Sequence, residues 1–128
     1  MNDRITLQDG ATPNKDEILT ANFLISQDKK TIVRFLAVSK NKNVRTPDIE
    51  MADKKWEIKC PRGTGKYLVQ NIIHKALHQS PNIILDLRHM KMHQAKAINE
   101  IEKVFNLSKS VKTIIIITKS RKTIEYKK

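Results

Sequence analysis

Hydrophobic and polar positions follow two different periods along the chain, and each period predicts a different type of element. Spacings of three and four predict amphipathic helices at about 13–27, 67–79 and 93–107. Runs rich in β-branched residues predict strands at 31–39, 83–88, 111–118 and 123–128. The stretch 46–60 alternates with a period of two, and we interpret it as two short strands joined at Asp53-Lys54.

These elements predict an α+β fold in the order α-β-β-β-α-β-α-β-β. We expect an N-terminal helix packed on a central, mostly antiparallel sheet, with two further helices. The near-continuous apolar run at 83–88 suits a central strand covered on both faces. A length of 128 residues predicts a single domain, 1–128, in which residues 1–12 form a loose lead-in.

The predicted hairpin at 46–60 contains the clearest candidate for a catalytic site. Because side chains alternate along a strand, Trp56 and Ile58 share an apolar face, while Glu57 and Lys59 share the polar face. Asp48 from the preceding strand would join that polar face. Two carboxylates suit a hard divalent cation, and a lysine suits a phosphate, so the pattern is typical of metal-assisted phosphodiester cleavage. The alternative is a solvated sheet face with no function.

Three further features have both a structural and a functional interpretation. Glu17 is either a carboxylate that favours the start of the first helix or a third acidic group at the hairpin. His74 and His78 lie four apart on one helix face, either as surface residues or as groups that bind a metal or move a proton. Asp86 and Arg88 form either a self-satisfied ion pair or a pair that binds a phosphate.

The charge balance points to a polyanionic partner. The chain has 25 Lys and Arg against 13 Asp and Glu, a net charge of +12, and the excess lies mainly in the second half. Nucleic acid is favoured over a membrane, because no helix combines a basic face with exposed large apolar residues. An acidic partner protein would explain the same bias. The single cysteine, Cys60, excludes an intrachain disulfide framework and a Cys-based zinc site.

Loops after the strands supply the candidate contacts to nucleic acid. The loop 61–66, with two glycines and a lysine before a helix, suits a phosphate but lacks the Walker spacing. The predicted nucleic-acid-binding residues are Arg62, Lys66, Lys91, Lys119, Arg121 and Lys122. No apolar run is long enough to cross a bilayer, and the first residues lack the layout of a signal peptide. We therefore expect no membrane insertion.

Short motifs along the chain resemble the C-terminal tRNase toxin domains of contact-dependent growth inhibition proteins and related domains of phage and mobile-element proteins. The motifs, in order, are Thr46-Pro47-Asp48, Trp56–Lys59, Ala76–Gln79, Asn82–Arg88 and Ile114–Thr118. The resemblance runs from about Glu17 to the C-terminus and implies a nuclease.

The resemblance implies one of two architectures. One is the PD-(D/E)XK type, an α/β core in which Asp48 and Glu57 would bind Mg²⁺ or another divalent cation, Lys59 would be the catalytic lysine and Glu17 an auxiliary carboxylate. The other is the barnase/EndoU/colicin/RelE type, which works without metal. Its catalytic candidates here are Lys59, His78, Arg88 and Thr118, with Asp48 and Glu57 structural or orienting.

The sequence thus predicts a toxin-type ribonuclease that cleaves RNA, with tRNA as the favoured substrate. The metal-independent antiparallel form is preferred, so no cofactor is favoured. The alternatives are a metal-dependent PD-(D/E)XK-like DNase or other nuclease, and a non-catalytic basic nucleic-acid-binding protein. The resemblance also implies an acidic immunity protein as partner, and action in the cytoplasm, including that of a target cell after delivery.

Overall fold

Seven strands form one sheet whose order in space is their order along the chain, β1 to β7. This description rests on a computed structural model and covers residues 2–41 and 44–128. The strands are β1 (Ile5–Leu7), β2 (Val33–Phe35), β3 (Ile49–Met51), β4 (Lys54–Lys59), β5 (Asn82–Asp86), β6 (Thr113–Ile117) and β7 (Thr123–Lys127). The helices are α1 (Lys15–Gln27), α2 (Leu68–Leu77) and α3 (Gln94–Leu107).

The predicted α+β class and the order of elements from the first helix onward are confirmed, with two corrections at the start of the chain. Residues 1–12 are not a loose lead-in, because Ile5–Leu7 forms an edge strand in which Ile5 is buried. This strand precedes α1, so the helix is not the first element. Three residues are too few to show a period, which is why the pattern missed β1.

The sheet is mixed rather than mostly antiparallel. The β2–β3, β3–β4 and β6–β7 pairs are antiparallel, whereas the β1–β2, β4–β5 and β5–β6 pairs are parallel. Each parallel pair is linked through a helix, as a crossover connection requires. The sheet therefore combines a meander, β2 to β4, with a parallel part, β4 to β6.

Helices cover both faces of the sheet and divide the interior into two cores. α1 packs on one face with Trp56, Ile58 and Ile84. α2 and α3 pack on the other face with Ile83 and Leu85. Because neighbouring residues of a strand point to opposite faces, the apolar run of β5 contributes to both cores. β5 is thus a central strand, as its sequence predicts.

β4 is shared between the two parts of the sheet. Its first residues pair with β3 and its last three, Glu57–Lys59, pair with β5. The β3–β4 turn has no glycine, and Ala52 and Asp53 adopt positive φ values of 52° and 62°. Two left-handed residues in a row give the twist that a tight hairpin requires. The hairpin predicted at 46–60 is therefore formed.

Candidate active site

Asp48 lies where β3 separates from β4. Its backbone N–H donates to the carbonyl of Trp56 at 3.0 Å, and the N–H of Ile58 donates to its Oδ2 at 2.8 Å. Asp48 therefore binds the β4 backbone on both sides of Glu57, through its own backbone N–H on one side and its carboxylate on the other. This contact places a carboxylate from the first strand of the hairpin beside one from the second, as the sequence predicts.

Glu57 and Lys59 project from the same face of β4. The Nζ atom of Lys59 lies 3.5 Å from Oε2 of Glu57, and the Glu57 side chain is only 8% exposed. Its other oxygen, Oε1, is buried without a hydrogen-bond partner among the described residues. A buried carboxylate oxygen without a partner is costly. This oxygen is thus the most conspicuous unsatisfied group at the hairpin.

Glu17 has both of the roles that the sequence analysis considers, at the start of α1 and beside the hairpin. It is the third residue of α1 and completes a capping box, with its Oε1 accepting from Asn14 N at 2.9 Å and its own N–H donating to Asn14 Oδ1 at 2.8 Å. Burial raises the pKa of Glu17 to about 7, opposed by the Asn14 hydrogen bond and assisted by the Asp48 carboxyl. Glu17 is therefore both a helix-capping group and a third acidic group at the hairpin.

Burial and mutual repulsion disfavour full ionisation of the three carboxyl groups. Burial raises the pKa of Asp48 to about 6, the Ile58 hydrogen bond opposes this shift, and the charge of Glu57 adds to it. Burial also raises the pKa of Glu57, although Asp48 and Lys59 lower it. Crowded carboxylates of this kind attract a proton or a cation. Glu17, Asp48, Glu57 and Lys59 are called the acidic cluster below.

The acidic cluster fits a divalent cation with a small number of protein ligands. Within residues 2–41 and 44–128, no three His, Cys, Asp or Glu side chains are arranged so that together they hold a metal ion. Mg²⁺, however, keeps several of its waters and is bound through one or two carboxylates together with substrate phosphates. Asp48 and Glu57 are two neighbouring carboxylates, and Oε1 of Glu57 is the oxygen that lacks a hydrogen-bond partner among the described residues.

The acidic cluster makes a testable contribution to stability. Glu17 and Asp48 bind protons more tightly in the folded chain than in the unfolded chain. The free energy of unfolding should therefore fall as pH rises from about 4 to 7 and these two groups lose their protons. The variant Asp48→Asn keeps an acceptor for Ile58 N and carries no charge. In EDTA we expect it to match the wild type near pH 4 and to exceed it by about 1 kcal/mol at pH 8 in urea unfolding.

The matched control is Glu50→Gln, because Glu50 is half-exposed and paired with Arg34 at 3.9 Å. We expect its difference from the wild type to stay constant over this pH range. An Asp48→Asn variant that is less stable than the wild type at pH 8 would contradict the assignment.

Asp86 and Arg88 form a self-satisfied pair on the α1 side of the sheet. Arg88 donates through Nε to Oδ1 at 2.9 Å and through Nη2 to Oδ2 at 2.8 Å, and Nη2 also donates to the carbonyl of Leu19. The Thr20 hydroxyl donates to Oδ2 at 2.7 Å. Burial opposes ionisation of Asp86, but these hydrogen bonds outweigh it and hold its pKa below the usual value. The pair ties β5 to α1.

Two other predicted catalytic residues lie outside the acidic cluster. Thr118 is buried after β6, where its hydroxyl contacts Ser120 Oγ at 2.9 Å and accepts from Lys122 N at 3.0 Å. It thereby stabilises the β6–β7 turn. His78 is exposed after α2, with its ring 5.2 Å from that of His74, in a groove that includes neither Arg88 nor Thr118. Of the four residues of the metal-independent alternative, His78 therefore lies in a groove apart from Arg88 and Thr118.

The predicted nucleic-acid-binding residues are all exposed and lie on three loops at one edge of the sheet. β4, β5 and β6 are parallel, so the loops that follow them share the carboxyl edge. Arg62 binds Asp16 of α1 at 2.9 Å, and its carbonyl accepts from Lys91 N at 3.1 Å. Gln94 and Ser120 link the other two loops. Arg62, Lys66, Lys91, Lys119, Arg121 and Lys122 therefore form a basic edge near α1 and Lys59.

Comparison with known proteins identifies one family and one solved structure. The family described as "Contact-dependent growth inhibition CdiA C-terminal domain" matches residues 45–123. A structure described as the CdiA-CT/CdiI toxin and immunity complex from Burkholderia pseudomallei matches with a TM-score of 0.63 and 18% identity, over 96% of this chain and 99% of that one. No curated protein matches in sequence. In the described residues, no helix is both long and apolar enough to span a membrane.

Proposed function

The chain belongs to the family of contact-dependent growth inhibition CdiA C-terminal domains, and from this premise we propose that it is a nuclease toxin domain that cleaves RNA with the help of a divalent cation. The observation that carries the proposal is the buried Glu57 carboxylate, with an unpartnered oxygen, between Asp48 and Lys59. All three residues lie within the matched region. The element order α1-β2-β3-β4-α2-β5 also supports the PD-(D/E)XK alternative.

Each residue of the acidic cluster has a distinct role in this proposal. Asp48 and Glu57 would hold Mg²⁺ or another divalent cation, which when bound activates water and neutralises charge on the phosphate. Lys59 provides a positive charge that binds the scissile phosphate and is oriented by Glu57 at 3.5 Å. Glu17 accepts a proton near neutral pH, because burial raises its pKa to about 7.

The metal-independent alternative has less support. It requires Arg88 and Thr118 to act on substrate together with Lys59 and His78. The Arg88 guanidinium binds Asp86 and the Leu19 carbonyl, and the Thr118 hydroxyl binds within the β6–β7 turn. Both side chains therefore already have hydrogen-bond partners within the fold.

We propose tRNA as the substrate and an acidic immunity protein as the inhibitor. The net charge of +12 and the basic edge favour a polyanion, and the tRNase domains that the sequence resembles supply the choice of RNA. The solved neighbour is a complex of toxin and immunity protein. A site built for phosphates is also complementary to an acidic protein surface. Action on tRNA would take place in the cytoplasm.

The test is cleavage of total tRNA and of plasmid DNA by the purified protein, with Mg²⁺ and with EDTA. We expect tRNA to be cut with Mg²⁺ and to stay intact with EDTA. Cleavage that persists in EDTA would instead favour the metal-independent alternative, with Lys59, His78, Arg88 and Thr118 as its catalytic candidates. DNA cutting alone would change the substrate, and intact substrates in every lane would favour a non-catalytic nucleic-acid-binding protein.

A further inference from the structure

One groove formed by the described residues lies at the edge of the sheet opposite the basic edge. Lys54, Asn82 and Thr113 line it, and they are the first residues of the parallel strands β4, β5 and β6. The basic edge lies beyond the carboxyl ends of those strands. The acidic cluster lies between the two edges, because Lys59 ends β4 and Glu57 pairs with Ile83, the second residue of β5. At about 3.3 Å per residue, the length of β4 from Lys54 to Lys59 is roughly 17 Å. The groove has a volume of about 690 Å³.

This amino-edge groove is strongly and uniformly basic. Among residues 2–41 and 44–128, no acidic residue lines it, whereas five lysines do: Lys54, Lys109, Lys112, Lys127 and Lys128. Lys128 is held in place, since its Nζ donates to the Ser108 carbonyl at 2.9 Å and lies 4.6 Å from the Phe105 ring. Lys109, Lys112 and Lys127 are exposed, and none of them forms an ion pair with a described residue. Their charges are therefore uncompensated.

We propose that the amino-edge groove binds the phosphate backbone of a structured RNA, remote from the bond that is cleaved. The proposal rests on the proposed function, which supplies the RNA. Lysines are compact point charges that bind phosphates without reading sequence. Protein interfaces instead have centres depleted of lysine and rich in aromatic and arginine anchors, and no aromatic side chain lines this groove. The charge and composition thus favour a nucleic acid over an acidic protein.

The two basic surfaces would act on different parts of one substrate. An RNA held at both edges must extend over roughly 17 Å, so a short oligonucleotide at the acidic cluster would gain nothing from the groove. The groove would therefore select for long, folded RNA through KM, and it would leave the chemical step unchanged.

The test uses the triple variant Lys109→Gln, Lys112→Gln, Lys127→Gln. Its matched control is Lys29→Gln, Lys30→Gln, Lys103→Gln, which removes the same charge from exposed positions outside the groove and outside the basic edge. Affinity for tRNA is measured against salt concentration in a Lys59→Ala background, so that the RNA stays intact. We expect the slope of log K against log salt to fall by about 2 to 3 in the groove variant, and the control to change it much less.

Cleavage provides the second readout. In the active background, we expect KM for tRNA to rise about tenfold or more in the groove variant, with kcat/KM on a short RNA oligonucleotide unchanged. Equal salt slopes in the two triple variants would overturn the proposal and assign the groove to an acidic protein. A wild type that cuts no RNA would refute the proposed nuclease activity. The salt dependence of tRNA binding would still decide the role of the groove, because it is measured without cleavage.

Discussion

Replacing Glu57 with Gln is expected to lower the rate of RNA cleavage by a factor of about 10³ or more while the protein remains folded. The substitution removes one of two carboxylates that would hold the cation, and loss of that charge stabilisation amounts to several kcal/mol. Folding should persist because the side chain keeps its shape, and the loss of a buried charge relieves repulsion from Asp48.

A measurement that does not depend on activity accompanies this prediction. A ligand that binds only the folded state raises stability, so Mg²⁺ should raise the melting temperature of the wild type. It should do so much less for Glu57→Gln. Glu50→Gln is the matched control, because it makes the same chemical change on the neighbouring strand at a half-exposed site, and it should retain both activity and the Mg²⁺ response.

Lys59→Ala should reduce cleavage as strongly but should leave the Mg²⁺ response in place. Lys55→Ala controls for loss of a lysine from the same strand, at an exposed position. A Glu57→Gln variant that cleaves RNA at the wild-type rate would refute the metal-dependent proposal, whatever the effect of Lys59→Ala.

The second large effect is expected at Arg88, where replacement by Ala should destabilise the fold by about 3–5 kcal/mol. The side chains of Arg88 and Asp86 are only 16% and 3% exposed, and Arg88 supplies most of the hydrogen bonds to Asp86. Removing the guanidinium leaves a buried carboxylate that keeps the Thr20 hydroxyl and the backbone N–H of residue 88 as donors but has no compensating positive charge. Urea unfolding measures the loss.

The double variant Asp86→Leu, Arg88→Met separates structure from catalysis at this pair. An apolar pair of similar volume avoids the unpaired charge, so we expect it to recover most of the lost stability. If this folded variant also cleaves tRNA, the role of Arg88 is structural. If it folds and does not cleave tRNA, Arg88 has a catalytic role, and the metal-independent alternative gains support.

Short-range patterns in the sequence predicted the hairpin and its polar face well. Alternation with a period of two is a local property, so it placed Glu57 and Lys59 on one face and, through pairing with β3, brought Asp48 beside them. The capping role of Glu17 was equally local. That Glu17 also reaches Asp48 depends on how α1 packs on the sheet, which the spacing of residues along one helix does not determine.

Other features depend on pairings between distant parts of the chain. The sequence did not distinguish parallel from antiparallel neighbours, because a buried apolar strand such as β6 has the same composition in both. Thr118 was a catalytic candidate by resemblance, and only the fold shows its hydroxyl within a turn. The lysines of the amino-edge groove come from three separate segments, at 54, 109–112 and 127–128, which become neighbours only when strands β4 to β7 align.

The division of β4 between two strand partners has a consequence for how the molecule loses function. Asp48 belongs to the meander, while the end of β4 is also held by β5 and by the core built around α2 and α3. Local opening of the meander alone would separate Asp48 from Glu57 and leave the core around α2 and α3 folded. Enzymatic inactivation should therefore precede global denaturation, and amide exchange should be faster in β2 and β3 than in β5 and β6.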